Sequence, residues 1–173
     1  MRDQVNQIIQ NLDPRSVESM TRALDNIKEL NDLTLEEKTA LGKSLCDVFY
    51  HAHHTGSTTM PKVAVRTEKR IAKFGPEMIP CIFNEMLDSD SESAVYFGKT
   101  LARNGVAGLE YLMTKLEEYK HQEPDLINVI QAASYFKIPE ATKAIPVFLN
   151  LAEHSNHQIT AMALYAMGRL AQT

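Results

Sequence analysis

The amino-acid sequence predicts an all-α fold in which helical hairpins stack on one another as a solenoid. Three observations lead there. Apolar residues recur at the spacing of a helix face along most of the chain, no segment shows the two-residue alternation of a strand, and turn residues punctuate the chain beyond position 61 at a regular interval. With 173 residues and 44% apolar content, the chain is long enough to bury a continuous core without disulfides or metal.

Val5, Ile8, Ile9 and Leu12 mark a first helix. Asp13-Pro14 then predicts the start of a second, a capping carboxylate followed by proline at the first helical position, with Val17, Met20, Ala23, Leu24, Ile27 and Leu30 as its buried stripe. Thr34 followed by Glu37 fits a capping box for a third helix, whose apolar face runs through Leu41, Leu45, Val48 and Phe49. The stretch HTGSTTMP, His54 to Pro61, is rich in glycine and small polar residues that favour turns. It is expected to separate amino-terminal helices over residues 1–54, which pack on the solenoid, from the repeats over residues 61–173, a single continuous domain.

Beyond that break the chain repeats. RIAKFGPEMIPCIFNEMLDSD, TLARNGVAGLEYLMTKLEEYK and SYFKIPEATKAIPVFLNLAEHS each show an apolar helix end, a short break and a new helix, opening on Ile79, Leu109 and Ile145. Those openings lie roughly 30 and 36 residues apart, the period of solenoids in which no hairpin buries its apolar face alone. Gly75-Pro76, Asn104-Gly105 and Pro139 supply the breaks.

Two stretches, LDSDSESAVYFGKTLARNG (Leu87 to Gly105) and LAEHSNHQITAMALYAMGRLA (Leu151 to Ala171), resemble HEAT repeats, in particular the short bacterial kind found in phycobilin lyase subunits. Each sets a leucine before a polar turn and a small-residue-rich helix. The resemblance covers residues 62–173 and departs from the family pattern in SESAVY, which lacks the usual arginine or valine after the turn. It implies a right-handed α-α superhelix that binds other macromolecules.

Charge and cysteine usage narrow the function classes. A net charge of -4 and a pI near 5.9 disfavour binding of nucleic acid or anionic lipid over the whole surface. Cys46 and Cys81 sit in apolar helical patterns as core thiols, which points to a reducing cytoplasm. The opening MRDQVNQIIQNLD has no signal-peptide core, and no window approaches the ~20 apolar residues of a membrane span.

Candidate chemistry is sparse. His51, His53 and His54, and likewise His154 and His157, offer three-residue spacings that set two imidazoles on one helix face. Neither cluster supplies a thiolate, and both fall at helix ends, where histidine is at home. HEAT-like iron hydroxylases carry repeated His-Glu pairs, whereas this chain has only the reversed Glu153-His154. Asp88, Asp90 and Glu92 lack the glycine and terminal glutamate of a calcium loop and read as a helix start. No nucleophile elbow or phosphate loop is present. The sequence therefore assigns no catalytic residue, cofactor or metal.

Two surfaces remain. Lys62, Arg66, Lys69, Arg70 and Lys73 share one helix face, opposite Ala64, Thr67, Ile71 and Phe74, as a row suited to phosphates or an acidic partner. HEAT-like DNA glycosylases hold duplex DNA on such solenoids, but the absence of tryptophan and the acidic net charge disfavour that reading. The last helix carries no charge from Ile159 to Gly168. Ile159, Met162, Ala163, Ala166 and Leu170 form one stripe, and Ala161, Leu164, Tyr165 and Gly168 the other. On the repeat's logic this is the first helix of a hairpin whose second helix is missing, so its uncovered flank is expected to meet a second copy of the chain or a different protein. Met60, Met78, Met86, Met113, Met162 and Met167 are read as core filler, with adaptable contact surface as the alternative.

The expected function is that of a non-enzymatic cytoplasmic scaffold that binds another protein. The alternatives are an accessory subunit of a lyase or other modifying enzyme, suggested by the family resemblance alone, and a nucleic-acid binder using the Lys62 to Lys73 row.

Overall fold

The structure, a computed structural model, describes residues 1–52 and 58–171. Among these the chain is all-helical, with ten α-helices and no strand. They are α1 (Asp3–Gln10), α2 (Val17–Lys28), α3 (Leu35–His51), α4 (Met60–Ala72), α5 (Ile79–Leu87), α6 (Ser91–Ala102), α7 (Gly105–Glu118), α8 (Glu123–Ala133), α9 (Ile145–Leu151) and α10 (His157–Leu170), with 3-10 turns at Pro76–Met78 and Pro139–Ala144. No described helix is long and apolar enough to cross a membrane.

The chain forms two compact units, Met1–Phe97 and Gly98–Thr173, and the division falls inside α6. α4 packs on both α2 and α3, so residues that follow the 54–61 stretch share a core with those that precede it.

In the first unit the contacts follow a hairpin rule. α1 meets α2 and α3 meets α4, while α3 also packs on α1 and α5, and α2 on α4. Odd helices thus neighbour odd helices and even neighbour even. Leu41, Leu45 and Phe49 of α3 are wholly buried, with Met20, Leu24 and Ile27 from α2 and Ile71 from α4. Phe49 stacks on Tyr96 with centroids 5.4 Å apart and meets the edge of Phe97 at 5.0 Å.

Local signals set the helix ends. Thr34 and Glu37 form the expected capping box, Glu37 N–H donating to Thr34 Oγ1 at 3.2 Å and Thr34 N–H to Glu37 Oε2 at 3.0 Å. Asp13-Pro14 does not open α2. Asp13 instead accepts from Arg15 N–H at 3.0 Å in a turn, and Ser16 caps the helix by accepting from Ser19 N–H at 3.2 Å. Gly75, at φ 108°, takes a backbone conformation closed to other residues and turns the chain out of α4.

Glu37 also anchors Arg2. Its Oε1 accepts from the Arg2 backbone N–H at 3.0 Å and from Nε at 3.1 Å, its Oε2 lies 3.1 Å from NH2, and the guanidinium donates onward to the carbonyls of Asn31 and Asp32. The Thr34 N–H, the Arg2 N–H and then the guanidinium hold the Glu37 carboxyl down at about 2, against the opposing effect of burial.

In the second unit α8 packs on α7 and α10, α10 on α9, and the Pro139–Ala144 turn on α9 and α7. The same pairing rule holds, and it corrects the expected place of the last helix: α10 is the second helix of the α9–α10 hairpin, not the first of an unfinished one. α7 opens at Gly105 rather than Leu109, because Gly105 at φ 59° ends the preceding helix and α7 resumes at once. Gly108 is required by close approach, since a Cβ there would lie 2.4 Å from the Leu101 carbonyl oxygen.

Candidate functional site

The α10 flank is built from one pattern of residues. Ile159, Ala163, Ala166 and Leu170 recur at steps of four, three and four and are buried against the helix's own unit. Those four members of the expected partner face are therefore core, and Met162 is half-buried. Leu164 and Tyr165 point the other way, 54% and 50% exposed, with Ala161 and Gly168 also exposed one turn to either side. A Cβ added at Gly168 would meet nothing within 4 Å. The neighbouring α9 exposes Leu149 at 54%, which the sequence reading passed over because it sits inside an otherwise apolar run.

Arg169 holds this helix in place. Its guanidinium carbon stands 4.9 Å from the Tyr135 ring centroid and 5.7 Å from that of Tyr165, while Nε donates to the Ser134 carbonyl at 3.2 Å and NH1 to Tyr165 Oη at 3.0 Å. One cation thus caps the carboxy-terminal end of α8 and fixes the Tyr165 ring on the exposed flank. Nothing in the sequence pattern linked Arg169 to Tyr135, 34 positions earlier.

The basic row on α4 is broken up. Ala64, Thr67, Ile71 and Phe74 are buried as expected, joined by Glu68. Lys62, Lys69 and Lys73 are exposed, but Arg66 is bound to Asp25 at 3.0 Å and is not available as an open cation. Arg70 is half-buried, and burial lowers its pKa below the ordinary arginine value.

The remaining candidates resolve locally. Cys46 is buried and its thiol is held well above its usual pKa by burial, then by Cys81 and Glu85; Cys81 is raised for the same first reason. Both thiols stay protonated near neutral pH, where only a thiolate attacks. Burial, then Glu85, pushes Tyr50 up to about 12. Asp90 accepts from the N–H groups of Glu92 and Ser93 at 3.0 and 2.8 Å, a helix start as read from the sequence. His51 ends α3 and His157 begins α10, while His154 Nδ1 accepts from Asn156 N–H at 3.0 Å; His53 and His54 lie outside the described residues. Met60, Met78 and Met86 are buried, in keeping with core filler.

No protein-family model, curated protein or solved structure matches the chain significantly.

Proposed function

We propose that this chain is a non-enzymatic scaffold of HEAT-like stacked hairpins that binds protein through the exposed flank of α10. The contact rule within each unit supports the repeat reading: successive helices pair, and alternate helices stack. The observation that carries the binding reading is Leu164 and Tyr165, two large side chains about half exposed on an uncharged heptad beside a fully buried stripe. A helix apolar on both sides is covered on both sides in a stable assembly.

The spacing favours a second copy of the chain. An antiparallel twofold centred between Leu164 and Tyr165 sets Ala161 opposite Gly168 of the other copy and Leu164 opposite Tyr165, so each large residue meets a large one across two close-approach points. The one charge beside this flank, Arg169, is already engaged by Tyr165 Oη and the Ser134 carbonyl. The test is sedimentation at high micromolar concentration. The expected mass is twice 19.5 kDa, returning to 19.5 kDa in Leu164→Asp; a wild-type protein that stays at 19.5 kDa rules out the second copy.

A further inference from the structure

An open cavity of about 430 Å³ lies in the first unit between the end of α2, the chain leading into α3, and the last turn of α4. Four cations line it: Lys28, Lys38, Arg70 and Lys73, against the single carboxylate of Asp32. Ile27 and Phe74 add apolar wall. Two of the cations are matched from outside the cavity, Lys28 by Asp25 at 2.6 Å and Lys38 by Glu77 at 2.5 Å. Arg70 and Lys73 have no ion pair and no side-chain hydrogen bond among the described residues. Arg70 is half-buried, and its loss of hydration is only partly offset by Asp25 and is compounded by the like charge of Arg66. A guanidinium in that position is stabilised by an anion that brings its own oxygens into the cavity.

We propose that this cavity binds a phosphate monoester or diphosphate group. A tetrahedral, multiply charged anion suits the combination present, a planar fork of donors at Arg70 and point charges at Lys73, Lys38 and Lys28. A phosphate group also offers more acceptor oxygens than the two of a carboxylate to donors that face the cavity from α2, α3 and α4. The volume falls within the range of small-molecule sites, about 300–1,000 Å³, and leaves room for the group to which the phosphate is attached. The site lies in a different unit from the α10 flank and does not depend on it.

The test is calorimetric titration of the full chain with inorganic pyrophosphate at low ionic strength. Saturable binding that weakens with added salt is expected. Arg70→Gln with Lys73→Gln lowers affinity by about tenfold or more, whereas Lys62→Gln with Lys69→Gln, which removes the same charge from the same helix outside the cavity, changes it by less than about twofold. Asp32→Asn, which keeps a side chain tolerant of the φ 51° at that position, tightens binding, an outcome that misfolding cannot imitate. Equal losses in the two double variants, or no saturable heat up to millimolar pyrophosphate, overturns the proposal. Glycerol 3-phosphate and phosphatidylcholine vesicles carrying phosphatidic acid then separate the sources of the group. Competition by the former without pelleting assigns a soluble ester, and pelleting abolished by Arg70→Gln with Lys73→Gln assigns a lipid headgroup.

Discussion

The two units hold their helices together by different polar chemistry. In residues 1–97, ion pairs reach between elements distant in sequence: Arg2 to Glu37, Lys38 to Glu77, Lys43 to Glu85 and Arg66 to Asp25. In residues 98–173 the described ion pairs are short-range, Lys115 to Glu118 and Lys120 to Glu117, and the long-range polar links are not ion pairs: Arg169 reaches Tyr135 and the Ser134 carbonyl, and Asn156 donates to Glu123 at 2.8 Å. The difference bears on what each unit presents outward. A unit with charges on its helix faces can leave several around one cleft, as at Lys28, Lys38, Arg70 and Lys73. A unit whose last helix is uncharged over a heptad leaves apolar side chains at its surface. The anion cavity proposed for the first and the apolar contact proposed for the second both follow from that contrast.

Several substitutions sharpen or break this contrast. The largest effect is expected at Phe49, whose ring is fully buried between Tyr96 and Phe97. Phe49→Ala is expected to destabilise by about 3–5 kcal/mol in denaturant melts, through lost burial and the cavity left behind. Gly108→Ala is next, at about 1–3 kcal/mol, because its new methyl meets the Leu101 carbonyl rather than a movable side chain.

The Arg2–Glu37 clamp should be visible in acid. Its carboxyl titrates at about 2 in the folded chain against an ordinary 4.5, so the unfolded chain takes up protons first as pH falls. The stability it contributes is complete above about pH 4.5 and is lost as pH drops toward 2. Thermal melts of Glu37→Gln are expected to show a flatter decline across that window than wild type. An unchanged slope would mean the clamp contributes nothing to folding.

Smaller effects are expected in the second unit. Arg169→Met removes a cation stacked on two partly exposed rings and should cost about 1 kcal/mol. Gly168→Ala is expected to stabilise the monomer by about 0.5–1 kcal/mol, since the position is helical and its surroundings are open. Comparing it with Gly108→Ala tests directly whether α10 is uncovered where α7 is packed.

Much of this architecture was legible in the residues. The Thr34–Glu37 box and the breaks at Gly75, Asn104-Gly105 and Pro139 all act within a few positions, and each stands where it was read. Ser16 displaced Asp13 as a cap because both are good caps and the choice depended on where Pro14 let the backbone turn. The candidate surfaces were half legible. Helical spacing separates two stripes on α10 and two faces on α4, but it does not say which stripe is covered, nor that Asp25 reaches Arg66.

By itself, the sequence determined that the chain is helical, where several of its breaks fall and which residues within a helix share a face, because those properties follow from backbone periodicity and from turn residues acting within a few positions. Tertiary structure alone decided that α10 completes a hairpin with α9, that Leu164 and Tyr165 remain outside, and that Arg70 and Lys73 join Lys28 and Lys38 around one cavity. Those outcomes rest on contacts between residues tens of positions apart, and only the packing of whole helices brings such residues together.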